Sequence, residues 1–243
     1  MARPHSQTPQ TDSPTTLKWL DMVISLLEQE YGVPEWRSRR DPLSELIYTV
    51  LSQNTSDTNS TRAFDQLWQA FSSWQAIAGA EVGEVSQAIH VGGLHQVKAP
   101  RIQAILRAIK EERGSYDLSF LADMPLEEAR AWLRRLPGVG PKTAACVLMF
   151  SLVRPALPVD THVHRVARRL GLIGPKVGRE QAHEALEALV PTERVFSFHV
   201  NLVRHGREVC KSQRPLCPTC VLNEGCPTGR GILGLTGPLP YDE

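Results

Sequence analysis

A short glycine turn between two apolar helical segments constrains the fold of this chain more than any other feature. The turn runs Leu136-Pro137-Gly138-Val139-Gly140-Pro141-Lys142. Glycine accepts positive φ and leaves backbone N–H groups uncovered, so such a turn can hold an anion where the next helix begins. The pattern predicts a helix, a hairpin and a helix, with Gly138, Val139 and Gly140 at a phosphate. By itself, the turn is equally typical of a tight connection between two core helices.

A lysine ends this turn, and Asp160 follows eighteen positions later. A lysine amine is a nucleophile only when neutral, and an ordinary pKa of about 10.4 leaves it charged at neutral pH. A helix N-terminus disfavours that charge at Lys142, and a carboxylate can accept the proton in the transition state. Asp160 also suits a plain N-cap, because helical spacing continues directly behind it. The two roles of Asp160 are compatible.

Four cysteines near the end of the chain form a second constellation. They are separated by six, two and five residues: Cys210, Cys217, Cys220 and Cys226. Disulfides are disfavoured, because we expect no signal peptide and a chain of this length can fold without covalent cross-links. Zinc stays open, but zinc sites usually pair two close-spaced knuckles, whereas the long arms here suit a wider iron–sulfur cluster. Cys146 lies in an apolar stretch and is predicted to be a core residue.

Composition argues against a membrane-spanning protein and against a uniformly cationic surface of the kind that a simple polyanion binder carries. The chain has 243 residues, 42% hydrophobic and 22% charged, with a net charge of only +1. No apolar run approaches membrane length. Basic charge is local: six basic residues stand against one acid between Arg154 and Arg179, and four against one between Arg204 and Arg214. Each patch alone could be a solvated helix face, but their position beside the two motifs favours a nucleic-acid backbone.

Helical periodicity recurs along the chain, and no convincing strand alternation is found, so we expect a mostly α protein. Residues 1–14 are polar and proline-bearing and are expected to be a disordered tail. Residues 229–243 are rich in Gly and Pro and are expected to be a flexible tail. The apolar positions that recur at helical spacing include Leu43, Leu46, Ile47, Val50 and Leu51; Ala63, Phe64, Leu67, Trp68 and Phe71; Ile102, Ile105, Leu106 and Ile109; and Val195, Phe198, Leu202 and Val203.

The hairpin, the lysine, the aspartate and the cysteine spacing together resemble the endonuclease III family of helix-hairpin-helix DNA glycosylases, over roughly residues 17 to 228. The resemblance implies two helical domains with a DNA-binding cleft between them. Residues 36–157 would form a helical barrel with the hairpin, and residues 15–35 plus 158–228 would form a discontinuous domain around a [4Fe-4S] cluster held by the four cysteines. It implies that Lys142 is the nucleophile and lyase residue, with Asp160 as its partner.

Two further segments resemble the family's DNA-intercalating loops. Leu51-Ser52-Gln53-Asn54-Thr55-Ser56-Asp57 is similar to the family's Leu-Ser-x-Gln-x-Thr-Asp, whose glutamine fills the space left by an extruded base. Asn54 stands at the glutamine position here, with Gln53 beside it. In Gly93-Leu94-His95 with Lys98, Leu94 resembles the family's wedge leucine, although a plain turn before a helix gives the same pattern. The resemblance thus implies DNA contacts for Gln53, Asn54, Leu94 and Lys98, and the charge pattern adds Lys211 and Arg214 inside the first cysteine loop.

The expected activity is that of a bifunctional DNA glycosylase and abasic-site lyase that removes oxidised pyrimidines from duplex DNA. Lys142 disfavours a monofunctional mismatch glycosylase, and a non-catalytic DNA-binding module stays a further alternative. The expected partner is double-stranded DNA with a damaged base or abasic site, bound by a monomer with no membrane attachment. The expected location is the cytoplasm, at the nucleoid if the chain is bacterial. Sequence does not indicate the preferred lesion, the opposite base or a redox role for the cluster.

Overall fold

The computed structural model describes residues 13–241, which contain helices and no strands. This confirms the prediction of a mostly α protein. The α-helices are α1 (Pro14–Tyr31), α2 (Pro42–Ser52), α3 (Asp57–Phe71), α4 (Trp74–Gly79), α5 (Val82–Ala88), α6 (His95–Arg113), α7 (Leu126–Arg135), α8 (Pro141–Phe150), α9 (Thr161–Arg169), α10 (Arg179–Leu189), α11 (Val195–Glu208) and α12 (Pro227–Leu233).

The described chain divides into two compact units, one formed by Arg37–Ala156 and the other by residues 13–36 together with 157–241. The predicted apolar repeats lie on α2, α3, α6 and α11. Among residues 13–241, every helix is too short or too polar to cross a bilayer.

Helix α2 is the centre of the first unit and packs against α3, α6 and α8. It begins cleanly because Asp41 Oδ1 accepts hydrogen bonds from the N–H groups of Leu43 and Ser44, and Pro42 occupies its first turn. Leu46, Ile47 and other apolar residues of α2 are fully buried. Helix α8 is buried on nearly all sides, so its small residues let it lie close to α2 and α7. The hairpin therefore leads directly into a helix that is packed in the core of this unit.

The second unit is built on α11, which packs against α1 and α9. Glu28 of α1 accepts two hydrogen bonds from Arg194, at 3.1 and 2.7 Å, and one from Ser197 Oγ at 2.6 Å. Trp19 Nε1 donates to the carbonyl of Leu170 at 2.8 Å. These contacts join residues more than 150 positions apart in the sequence. They hold the first helix against the C-terminal half of the chain.

Both expected tails need correction. Most of residues 1–14 lie outside the described residues, but Ser13 caps α1 and Pro14 begins it. Residues 229–243 were expected to be a flexible tail. Residues up to Leu233 instead complete α12, and Tyr241 is buried. The Tyr241 ring stacks on Trp19, and its hydroxyl donates to Gly225 O at 3.2 Å. Gly and Pro composition did not reveal this because one aromatic residue anchors the segment.

Candidate functional site

The glycine hairpin joins α7 to α8 as predicted. Val139 N–H donates to Leu136 O at 3.1 Å and closes the turn, and Gly138 takes a φ of 71°. Gly140 is the N-cap residue of α8, and Pro141 occupies its first turn. Within the described chain, the N–H groups of Gly138 and Gly140 take no part in the backbone hydrogen bonds of the turns and caps. The exposed side of the hairpin thus offers two amide donors at a positive helix end.

Val139 itself differs from the prediction of a DNA contact. Its side chain is 6% exposed and belongs to the core of its unit, and its N–H is already bound within the turn. The apolar side chain at the tip of the hairpin points inward because burial of its methyl groups is favourable. Of the three hairpin residues, Gly138 and Gly140 are therefore the ones whose N–H groups could bind an anion.

Lys142 is the second residue of α8 and is half-buried. No acidic residue lies in the first turn of this helix, so the positive helix end disfavours the charged form of the amine. Thr143, its neighbour, is buried. Lys142 therefore lies two residues after Gly140, at the end of the hairpin that carries the two amide groups.

Glu45 is a buried carboxylate that sequence reasoning missed. It is 4% exposed and pairs with Arg40 Nη1 at 3.3 Å. Burial raises the pKa of Glu45, and the nearby positive charges of Arg40, Arg39 and Lys142 oppose that rise. Lys142 thus shares its electrostatic surroundings with an acid on α2. A single acid inside an otherwise apolar stretch of α2 was the available signal.

Gln53 and Asn54 are adjacent but play different roles in the structure. The Gln53 amide is engaged at both ends: Arg101 Nη1 donates to its Oε1 at 3.0 Å, and its Nε2 lies 3.5 Å from Thr143 Oγ1. Arg101 also lies across the hairpin, since a Cβ placed on Gly138 would stand 2.6 Å from its Nε. Gln53 therefore braces the helix that carries the lysine. Asn54 is exposed and takes a left-handed φ of 53°.

Leu94 is exposed as predicted for a wedge. It is 53% exposed and has a φ of 50°, which is unusual for a leucine. It directly precedes α6, and its carbonyl accepts from Lys98 N–H at 2.9 Å. An apolar side chain held in water at a loop tip is available to contact a partner.

Lys98 does not lie on a DNA-facing surface, which corrects its predicted role. It is 2% exposed, and its Nζ donates to Leu51 O and Thr55 Oγ1, both at 2.7 Å, and to Gly92 O at 2.9 Å. All three ammonium protons are used. Burial lowers the pKa of Lys98 to about 8. The prediction rested on the family resemblance of the segment around Leu94, which does not reveal whether a lysine four residues later is buried.

Asp160 is the N-cap of α9, as one of its two predicted roles requires. Its Oδ1 accepts from the N–H groups of His162 and Val163 at 2.8 and 2.7 Å. Among the described residues, Oδ2 accepts no hydrogen bond. One oxygen therefore fixes the orientation of the carboxylate, and the other is available to accept a proton.

All five cysteines are free thiols, and the four near the C-terminus line one pocket with Val166, Leu170 and Leu222. Within the described part of the chain, no three His, Cys, Asp or Glu side chains are grouped closely enough to hold a metal ion. Burial raises the pKa of Cys220 to about 11 and also raises that of Cys226. Cys146 is buried in α8, which confirms its core role.

Two arginines of α9 hold the first cysteine loop. Arg165 donates to Cys210 O at 3.1 Å and to Gly206 O at 2.8 Å. Arg169 donates to Lys211 O at 2.7 Å, to Ser212 O at 3.0 Å and to Cys210 Sγ at 3.3 Å. These arginines contributed to the predicted basic patch, but their guanidinium groups donate hydrogen bonds to the loop and to the end of α11. Their hydrogen bonds to the loop were not visible from charge counts.

The cations that remain exposed on that loop are Lys211 and Arg214. Arg214 has a left-handed φ of 51°, in a turn between Cys210 and Cys217. Beside it lies a groove of about 400 Å³ lined by His162, Arg165, Gly206, Arg207, Lys211, Ser212 and Gln213. The basic lining of this groove suits a phosphate group.

Comparison with known proteins identifies a family and several relatives that this chain resembles. Residues 47–192 match the model of the HhH-GPD superfamily of base excision DNA repair proteins. The chain is 38% identical over 193 residues to Endonuclease III of Thermotoga maritima, covering 79% of this chain and 86% of that protein. It is 36% identical to a candidate DNA glycosylase of Arabidopsis thaliana, over 77% of this chain and 61% of that protein's length.

A solved structure of a trapped Endonuclease III–DNA covalent intermediate superposes with a TM-score of 0.78. The match has 27% sequence identity and covers 90% of this chain and 99% of that chain.

Proposed function

The chain belongs to the endonuclease III family within the HhH-GPD superfamily of base excision DNA repair proteins, and on that premise we propose that it is a bifunctional DNA glycosylase and abasic-site lyase. One observation carries the proposal: Lys142 follows a hairpin whose Gly138 and Gly140 amides are open to an anion. A non-catalytic DNA-binding module needs the amides but not the amine.

Lys142 is the nucleophile in this proposal. The hairpin amides hold a DNA phosphate, and the amine attacks C1′ of the damaged nucleotide. A C1′–N bond to lysine forms as the bond to the base breaks, and the base leaves with that electron pair and takes a proton. Opening of the sugar gives a Schiff base. Loss of a C2′ proton then expels the 3′ phosphate and nicks the strand.

The lysine must lose its proton before it attacks. At neutral pH an ordinary lysine amine is charged, and its deprotonation costs about 4 to 5 kcal/mol. The helix end contributes about 0.3 to 1 kcal/mol, so it does not suffice. Displacement of water by the bound strand adds to the effect, because desolvation disfavours the ammonium.

Asp160 accepts the lysine proton and stabilises positive charge on the sugar. Its Oδ1 is held by two backbone N–H groups, so Oδ2 is presented in one orientation. A prepositioned acceptor of this kind contributes about 100- to 10,000-fold to a rate. Lys142 and Asp160 act on the same nucleotide in this scheme.

Asn54 is the residue that fills the space left by the extruded base. Gln53 is occupied by Arg101 and Thr143, whereas Asn54 is exposed at the tip of its loop. Leu94 enters the stack as a wedge. Extrusion costs a few kcal/mol of lost stacking, and the two inserted side chains offset part of that cost.

The substrate is duplex DNA with a damaged base, with oxidised pyrimidines as the preferred lesions, bound by a monomer. Lys211 and Arg214 contact phosphates, and the groove next to them accepts the DNA backbone. Two such contacts make binding dependent on salt. We propose a cytoplasmic location, at the nucleoid if the chain is bacterial.

The four C-terminal cysteines are the residues that would hold a [4Fe-4S] cluster: they line one pocket, none is in a disulfide, and a cluster is wider than the single metal ion for which their thiols are not grouped closely enough. The cluster supplies a covalent cross-link between Cys210, Cys217, Cys220 and Cys226 when it is bound. Arg165 and Arg169 already hold the first loop by its carbonyls. Such a cross-link would hold Lys211 and Arg214 in position for phosphates.

Borohydride trapping tests the proposed function. Wild-type protein is mixed with a duplex containing one abasic site, and reduction of the Schiff base is expected to yield a covalent protein–DNA adduct. Lys142→Gln should abolish the adduct, while Lys110→Gln, which removes an exposed lysine of α6, should leave it unchanged. Tight binding by the wild type with no adduct would instead indicate a DNA-binding module. On a second duplex that carries a damaged base in place of the abasic site, base release without an adduct would indicate a monofunctional glycosylase.

A further inference from the structure

One buried amine connects the two loops proposed to enter DNA. Lys98 Nζ donates to Leu51 O and Thr55 Oγ1, which flank Gln53 and Asn54, and to Gly92 O, which precedes Leu94 by two residues. Thr55 Oγ1 also donates to Gly92 O. The ammonium, the hydroxyl and the two carbonyls therefore form a closed network between segments about 40 positions apart in the chain.

The loops on either side of this network share an unusual conformation. Asn54 and Leu94 are both exposed, and both take left-handed backbone angles, with φ of 53° and 50°. Asparagine tolerates such an angle, whereas a leucine keeps it only where the surrounding structure holds it. Gly92 is also fixed from the other side, because a Cβ there would lie 2.9 Å from Ala63 Cβ. The network is what anchors the base of each loop.

A buried ammonium is a costly way to stabilise a helical core. Lys98 lies on α6, whose other inward residues are mostly apolar, and burial alone accounts for its lowered pKa. An apolar side chain would fill the same volume without desolvating a charge. The ammonium is instead suited to bonding three oxygen atoms from two loops at once, which no apolar residue can do.

We propose that Lys98 is a positioning residue that joins the Gln53–Asn54 loop to the Gly93–Leu94 loop, so that both enter the duplex together when a base is extruded. This inference rests on the proposed function. Lys98 touches neither the substrate nor the reacting atoms. Its loss should therefore impair removal of a stacked damaged base, while Schiff-base formation at an existing abasic site, which needs no base extrusion, should change much less.

The test compares two rates in Lys98→Met, which keeps an unbranched side chain only one atom shorter and removes all three hydrogen bonds. Single-turnover excision of one oxidised pyrimidine from duplex DNA is measured beside borohydride trapping on a duplex with a preformed abasic site. We expect excision to fall by about 10- to 100-fold relative to trapping, because charged hydrogen bonds are lost. Lys110→Met is the matched control from the same helix and should change neither rate.

A second readout does not depend on chemistry. A 2-aminopurine placed beside the lesion becomes fluorescent when it unstacks, and this increase on binding should be smaller in Lys98→Met than in wild type. If Lys98→Met does not fold, Thr55→Val removes one acceptor while leaving the amine in place, and the same shift in the ratio is expected at about 3- to 10-fold.

Equal losses of excision and trapping, or no change in either rate, would overturn the role of Lys98. Wild-type protein that binds DNA but neither excises nor traps would overturn the proposed function instead. The two failures are therefore separate, because the first is read from the ratio of variant to wild type and the second from wild type alone.

Discussion

The ring of Tyr241 stacks on the indole of Trp19, with their centroids 4.7 Å apart and an interplanar angle of 26°. Trp19 belongs to the first helix, whereas Tyr241 is the last residue that the structure describes. The same tyrosine donates to Gly225 O, one residue before Cys226. The C-terminal segment therefore packs against α1 beside the last cysteine.

Tyr241→Ala is expected to lower the free energy of unfolding by about 1 to 3 kcal/mol, because it removes a buried aromatic contact and a hydrogen bond. Tyr241→Phe keeps the stack and should cost only about 1 kcal/mol. Urea denaturation followed by circular dichroism measures both. Equal stability of Tyr241→Ala and wild type would show that the stack does not contribute in solution.

Asp160→Asn separates the capping role of Asp160 from its chemical role. Asparagine is as good an N-cap as aspartate, so the free energy of unfolding should change by less than about 1 kcal/mol. Adduct formation should fall by about 100- to 10,000-fold, because an amide does not accept the lysine proton.

Asp41→Asn is the matched control, since Asp41 caps α2 with the same pattern of two backbone hydrogen bonds. It should change neither stability nor rate. Undiminished trapping by Asp160→Asn would leave Asp160 as a structural cap only.

Substitution of any one of the four C-terminal cysteines by Ala is expected to cause loss of bound iron and sulfide, measured by chemical analysis and visible absorbance of the purified protein. Cys146→Ala should retain both, because Cys146 is a core residue of α8. Zinc in place of iron in the protein, purified without air, would contradict the cluster.

Asn54→Ala should reduce excision of a damaged base by about 10-fold and alter the preference for the opposite base, since its side chain is the exposed one of the pair. Gln53→Ala should instead lower the free energy of unfolding by about 1 kcal/mol, because Arg101 loses its acceptor. A change in opposite-base preference in Gln53→Ala alone would reverse this assignment.

The lowered pKa of Lys98 predicts a pH dependence with a definite sign. Between its folded pKa of about 8 and the ordinary value of 10.5, the unfolded chain binds more protons at this lysine than the folded chain. The free energy of unfolding contributed by Lys98 should therefore rise with pH across this window. Denaturation of wild type and Lys98→Met at several pH values measures the difference, in which other titrating groups cancel. A difference that does not vary with pH would contradict a buried ammonium.

Much of the candidate site was predictable because it depends on local chemistry. The positive φ of Gly138, the start of α8 at Pro141 and the cap at Asp160 follow from residues a few positions apart. Helical periodicity predicted the mostly α fold for the same reason, since the spacing of apolar residues along the chain directly shows a repeat of 3.6 residues. The family resemblance added the roles, residue by residue.

Tertiary contacts decided the rest. Sequence placed Lys98 among the DNA contacts, whereas its three acceptors come from elements 6 to 47 positions away. The sequence also did not distinguish the roles of Gln53 and Asn54, whereas in the structure Arg101 and Thr143 bind only Gln53.

The residues by themselves determined which segments are helices, where the hairpin turns and which side chains carry reactive groups, because these depend on neighbours in the chain. Only the folded structure decided which cations are buried, which amide is occupied and that Tyr241 returns to Trp19. The physical reason is that burial and hydrogen-bond pairing depend on contacts between distant segments, and no local pattern specifies the partner.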